Sequence, residues 1–145
     1  LQVTGQIISL AKTPTYSESV ELLKSIPGIG LITAMIITLE LETIHRFESV
    51  DKLSSFIGLI PSTHSSGEHE VVGDITRRGH SMLRNALVES AWVAARIDPA
   101  LNKSYHSYCN RMDANKAIIR IAKKLVSRIR YVLKNKTPYV YSVIK

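Results

Sequence analysis

Residues 62–84, STHSSGEHEVVGDITRRGHSMLR, hold the side chains best suited to chemistry: the hydroxyls of Ser62, Thr63, Ser65 and Ser66, the glycines Gly67, Gly73 and Gly79, and the arginines Arg77, Arg78 and Arg84. A serine hydroxyl can attack phosphorus or merely touch a phosphate. Arginine's planar fork matches phosphate oxygens, and glycines let the backbone approach a ligand closely. A polar loop leading into a helix, whose first N–H groups lack partners, can therefore cradle a phosphate. The plainer reading is that Ser65 and Ser66 cap a turn. His64 and His69 stand near the serines in sequence, but a loop histidine is more often solvated than catalytic. Zinc is not expected: His64, His69, His80 and Cys109 match no compact ligand spacing, and no CxxC pair occurs.

The segments that must hold this loop read as helices. Residues 1–12 have a helical pattern without a start methionine, which suggests that residues 1–15 are the end of a preceding helical linker, broken at Thr13-Pro14-Thr15. A second helix begins at Ser17 and carries Val20, Leu22 and Leu23. Ile26-Pro27-Gly28-Ile29-Gly30 and an apolar helix over residues 31–41 follow, so residues 17–41 have the pattern of a helix-hairpin-helix. In that form Gly28 and Gly30 permit the tight turn, and the second helix's free N–H groups grip DNA backbone phosphate without reading bases. No Lys or Arg lies between Lys24 and Arg46, so the grip would rest on amides alone. The alternative is an ordinary pair of helices whose glycines only allow close packing.

Phe47 is expected to anchor the polar connection after residue 41, and a short helix over residues 52–57 ends at Gly58. The serine loop spans residues 61–79, with Glu70-Val71-Val72-Gly73 forming a small β-hairpin or an extended turn. From His80 a helix resumes with Leu83, Leu87, Ser90, Ala91 and Ala94 on one face, up to Pro99, and residues 100–112 form another with Tyr105 and Tyr108 in its contacts. The last helix, residues 115–134, is two-faced: at 100° per residue, Lys116, Arg120, Lys123, Arg130 and Lys134 fall within about 40° of one line, opposite Ile118, Ile121, Ala122, Leu125, Ile129, Val132 and Leu133. No acid follows Asp113. This stripe is read as tracking a phosphate backbone, against the plainer reading of a solvated face.

The whole is a mainly α, compact helical domain of 145 residues with enough apolar content, 45%, for a real core. The net charge of +7 is unevenly placed: residues 1–74 hold four Lys and Arg against nine acids, a balance of −5, and residues 75–145 hold fifteen against three, a balance of +12. A folded half-domain of that charge most often meets nucleic acid. The single Cys109 allows no internal disulfide and fits a reducing compartment. The apolar stretch over residues 26–39 is shorter than a membrane span and contains Pro27-Gly28, so it is expected to be a buried helix.

In combination, IPGIG, RFESVDKLSSFIGLIPSTHSSGEHEVVGDITRRGHSMLRNALVESAW, a basic helix and KTPY resemble the C-terminal domain of insertion-sequence transposases of the IS-one-ten type, relatives of the Piv-type DNA invertases. The resemblance covers residues 22–139. It implies an N-terminal RuvC-like domain outside this sequence, with a DEDD carboxylate set that binds divalent metal, expected to be magnesium; no cofactor is expected on this part. It implies that the serine before the SG glycine, Ser66, or Ser65 as the alternative, is the nucleophile on DNA. It also implies that Arg77, Arg78 and Arg84 stabilise the phosphate and that this part alone is inactive. DNA is the implied partner, with a guide (bridge) RNA in some members. A homo-oligomer in the longer protein and a prokaryotic, cytoplasmic, nucleoid-associated location follow from the same resemblance. Two other readings stand beside it: a non-catalytic helix-hairpin-helix module that binds nucleic acid, and a protein-interaction domain whose basic helix meets an acidic partner.

Overall fold

The computed structural model describes residues 2–59 and 80–141. Within them the chain forms α1 (Gln2–Ala11), α2 (Ser17–Lys24), α3 (Leu31–Leu41), a 3-10 turn (Ile44–Arg46), α4 (Val50–Ile57), α5 (Ser81–Ile97), α6 (Pro99–Cys109) and α7 (Ala114–Asn135), with no strand among the described residues. The expected mainly α architecture is what is observed. The hairpin read at residues 70–73 lies outside the described residues.

Local chemistry accounts for the helix ends. Ser49 accepts from the Lys52 amide at 3.1 Å to start α4, and Gly58 stops it in the left-handed region at φ +90°. Asp113 accepts from the Lys116 amide to start α7. Asp98 both ends α5 and begins α6, with its Oδ1 accepting from the amides of Ala100 and Leu101, and Pro99 in the first turn suits a position whose N–H would be unpaired anyway. The helix expected over residues 100–112 therefore starts at Pro99, and it stops at Cys109.

α5 is the central element. It packs on α3, α4, α6 and α7, and Leu83, Leu87, Ser90, Ala91 and Ala94, the face expected from periodicity, are all buried. The alanines let neighbours approach closely. Gly28, at φ +86°, uses that closeness: a Cβ built there would lie 2.3 Å from the Ser90 carbonyl oxygen and 3.2 Å from the Ala94 nitrogen. The start of α3 thus meets the end of α5. At the other end His80, just before α5, faces Glu40 near the end of α3, so the two helices run antiparallel.

α7 closes the core with Ala117, Ile118, Ile121, Ala122, Leu125, Val126, Ile129 and Val132 buried. α1 packs on α3, with Ala11 buried and Ile7 against the core. The apolar α3 is only half covered, contrary to the buried helix expected: Ile32 and Leu39, two turns apart on one face, are 45% and 49% exposed. Among the described residues no helix is long and apolar enough to cross a membrane.

The tail after α7 folds back. The Tyr139 amide donates to Ser25 Oγ at 2.9 Å, its hydroxyl donates to Asp98 Oδ2, and Arg128 Nε donates to that hydroxyl at 3.1 Å. Asp98, fully buried, thereby joins the α5–α6 corner to the tail. Burial, and then the bond to Asp98, raise the Tyr139 hydroxyl above its ordinary pKa.

Candidate functional site

Ser65, Ser66, Arg77 and Arg78 lie outside the described residues. What the structure does describe is the frame at the two ends of their loop. On the entry side α4 ends at Gly58 and Leu59 is buried. On the exit side His80 precedes α5 and Leu83 is buried. Both ends rest on the core, so the loop leaves from fixed points.

Around the exit stand groups that can meet an anion. His80 and Arg84 are one turn apart at the start of α5 and share a face. Arg84 has a buried guanidinium nitrogen, Nη1, without a hydrogen-bond partner among the described residues. Buried donors are nearly always satisfied, and an exception needs an explanation. His80 packs on Phe56 with ring centroids 4.0 Å apart and the rings tilted by 43°, and its Nδ1 is 3.9 Å from Glu40 Oε2, too long for a hydrogen bond. Arg46 lies over both Phe47 and Phe56, 5.0 and 5.1 Å from the ring centres. Phe47 is buried against Phe56, as expected of an anchor. His80 and Arg46 thus flank Phe56 at the foot of the loop, Arg46 with its Nη1 donating to the Leu41 carbonyl at 3.1 Å and 3.4 Å from Glu42 Oε2, and Arg84 follows His80 by one turn of α5. Sequence reasoning singled out Arg84 but missed Glu40, Arg46 and Phe56. The four-residue spacing of His80 and Arg84 was the available signal; the rest are distant in sequence and meet through the packing of α5 on both α3 and α4.

The turn after α2 is a second place where the first amides of a helix lack a side-chain cap. Gly30 precedes α3 with extended backbone (φ −96°, ψ −171°) and no side-chain cap, and a Cβ there would meet nothing within 4 Å. The two glycines therefore do different work. Gly28 is required by packing, whereas Gly30 leaves the first amides of α3 uncovered. From Gly30 to Glu40 the helix advances about 15 Å at 1.5 Å per residue, so the turn and the foot of the serine loop stand at opposite ends of α3.

The basic face of α7 is less uniform than its sequence. Lys116, Arg120 and Lys134 are exposed. Lys123 Nζ is 3.0 Å from Asp51 Oδ1 in an exposed pair, which contributes little to stability and can exchange for another anion. Arg130 donates through Nη2 to the backbone carbonyls of Phe47 and Glu48 at 3.4 and 2.9 Å. It is a tether between α7 and the segment before α4, and its Nε is buried and unpartnered among the described residues. The five cations read as one solvent-facing row are thus three exposed groups, one ion pair and one structural clamp. The acid and the carbonyls that temper the row, Asp51 and the backbone of Phe47 and Glu48, come from the first half of the chain, which a helical wheel of α7 does not contain. No group of three or more potential metal ligands occurs among the described residues.

The family described as Transposase IS116/IS110/IS902 matches residues 20–106, more than half of the chain. The transposase for insertion sequence element IS1111A from Coxiella burnetii is 43% identical over 75 residues, covering 52% of this chain and 21% of that protein. The insertion element IS110 uncharacterized 43.6 kDa protein of Streptomyces coelicolor is 30% identical over 118 residues, 81% of this chain and 29% of its own length. A probable family 20 transposase of Pseudomonas aeruginosa is 25% identical over 124 residues, 83% of this chain and 37% of its own. The chain spans less than two fifths of the length of these relatives. The match runs from α2 through the turn at Gly28 and Gly30, residues 61–79 and α5 to α6, and on it the chain belongs to the Transposase IS116/IS110/IS902 family.

Proposed function

We propose that this chain is the catalytic-serine and DNA-binding part of a transposase that cuts and rejoins DNA through a serine nucleophile, with Ser66 as that nucleophile and Ser65 as its alternative. The observation that carries the reading is the unsatisfied, buried guanidinium nitrogen of Arg84 at the foot of the serine loop, inside the segment matched by the family. An arginine placed there lowers the cost of the extra negative charge that develops on a phosphate under attack, and Arg77 and Arg78 are assigned the same role.

In the reaction the Ser66 hydroxyl attacks the phosphodiester phosphorus and gives up its proton. A phosphoserine bond forms, one P–O bond of the strand breaks, and the released deoxyribose hydroxyl takes a proton. Attack by a DNA hydroxyl on the phosphoserine reverses the exchange, rejoins a strand and frees the serine, so no external energy source is needed. The base that takes the serine proton is assigned to the carboxylates of a RuvC-like domain outside this sequence, where divalent metal would also bind. The present chain alone is accordingly inactive. Gly30 and the start of α3, together with Lys116, Arg120 and Lys134, hold the duplex backbone. DNA is the substrate, a guide RNA and a homo-oligomer belong to the longer protein, and the site of action is the prokaryotic nucleoid.

The test uses the full-length transposase. Ser66→Ala should bind DNA as well as the parent and lose covalent attachment to it, and unchanged strand exchange in both Ser66→Ala and Ser65→Ala would sink the assignment. The second reading, a non-catalytic helix-hairpin-helix module, is favoured by the uncapped start of α3 and predicts DNA binding with no role for either serine.

A further inference from the structure

A second surface lies away from the serine loop, where α5, α6 and α7 meet. Trp92 on α5 is 37% exposed and stands edge-on to Tyr105 of α6, with ring centroids 5.8 Å apart. Tyr105 and Tyr108 are three residues apart on α6 and so share a face. Tyr108 in turn lies beneath two guanidinium groups, Arg111 at 5.5 Å and Arg120 of α7 at 5.8 Å from its ring centre. The result is one continuous line, from an exposed indole through two phenols to two arginines, with exposed Lys116 one turn before Arg120. Tyr105 and Tyr108 rest partly on the core, but core filling calls neither for an exposed indole at one end nor for two guanidinium groups at the other.

We infer that this line binds single-stranded nucleic acid, with an unpaired base stacked on Trp92 and the adjoining phosphates on Arg111, Arg120 and Lys116. Aromatic platforms beside a cationic track suit single strands because every base has a π face and every nucleotide a phosphate. A duplex hides its base faces and would use only the cations. Strand exchange leaves unpaired strands, so this inference rests on the proposed DNA chemistry, shares Lys116 and Arg120 with the duplex-binding face, and adds to it Trp92, the α6 tyrosines, Arg111 and a different form of the ligand.

The chain contains one tryptophan, so its intrinsic fluorescence reports on Trp92 alone. Titration with oligo-dT, oligo-U, a DNA duplex and poly-glutamate, at several salt concentrations, tests the inference. Oligo-dT, oligo-U or both should quench the emission, with a salt slope that becomes shallower in Arg111→Glu and Arg120→Glu. A difference between the two oligonucleotides assigns the strand as DNA or RNA. Trp92→Ala should weaken single-strand binding about tenfold and leave duplex binding unchanged within about twofold, while Trp92→Phe recovers most of the loss. Fluorescence anisotropy of labelled oligonucleotides follows these tryptophan-free variants, and circular dichroism checks that they remain folded. Duplex binding without quenching by either single strand overturns the platform and leaves the transposase reading standing. Absence of binding to all three nucleic acids counts against both. Quenching by poly-glutamate alone overturns the inference in favour of an acidic protein partner.

Discussion

Replacing Gly28 by alanine places a Cβ 2.3 Å from the Ser90 carbonyl oxygen, a backbone atom that cannot move without shifting α5. The same residue would have to hold φ +86°. Left-handed backbone costs a non-glycine residue about 1–2 kcal/mol, and overpacking a fitted core costs about 1–3 kcal/mol, so Gly28→Ala should lose roughly 2–5 kcal/mol. Against a total of about 5–15 kcal/mol for a domain this is a large fraction, and at about 2–4 °C per kcal/mol for a chain near this size the melting temperature should fall by about 10 °C. Gly30→Ala provides the contrast, since its backbone is extended and its Cβ meets open space; its stability should change by less than about 1 kcal/mol. Gly30→Ser goes further: a serine hydroxyl can cap the first amides of α3, raising stability by a few tenths of a kcal/mol while competing with phosphate for the same donors. Urea unfolding followed by circular dichroism measures the first quantity, and duplex binding by anisotropy the second. If Gly28→Ala unfolds at the parent midpoint, or Gly30→Ala loses as much as Gly28→Ala, the division of labour between the two glycines is wrong. If Gly30→Ser binds DNA as tightly as the parent, α3's amides are not the grip.

Further outcomes follow from the same structure. Tyr139→Phe leaves buried Asp98 without its hydroxyl donor and should cost about 1–3 kcal/mol in urea unfolding. Because the Tyr139 hydroxyl is raised above 10.0 in the folded chain, first by burial and then by Asp98, its contribution is whole below pH 10 and is lost as pH rises through the folded value; Tyr139→Phe should therefore have a flatter stability profile on the alkaline side. Arg130→Ala unties the carbonyls of Phe47 and Glu48 and should lower the melting temperature, whereas Lys123→Ala, which breaks only an exposed pair, should change stability by less than about 1 kcal/mol. Reversing Lys116, Arg120 and Lys134 to glutamate should weaken duplex binding across all sequences and flatten its salt dependence; a loss confined to one target sequence would refute a backbone role.

The seven helices of the described residues were legible in the sequence because their signals are local. Apolar spacing on α5 and α7, the stop at Gly58 and the break at Pro99 depend on residues within a few positions of each other, and they place the elements to within a residue or two at most ends. The family, too, was legible, since its motifs are strings of adjacent residues. Charge was misjudged where it depended on distant partners. Arg130 looked like a member of an open row, but its guanidinium is held by carbonyls more than eighty positions away, and Lys123 meets Asp51.

For the candidate site the division is the same. The sequence names the serine loop, its arginines and its glycines as a phosphate cradle, because side-chain chemistry needs no fold to be recognised, and of those residues only Arg84 lies among the described ones. That His80 meets Glu40 of α3 and Phe56 of α4, with Arg46 over the same ring, follows only from α5 lying antiparallel to α3 and packing on α4. The aromatic line from Trp92 to Arg120 is likewise assembled from three helices, and Asp98 and Tyr139 meet across forty-one positions. Periodicity reports which face of a helix is buried, but not which helix covers it; that choice is made by close packing of whole surfaces, and only the tertiary structure records it.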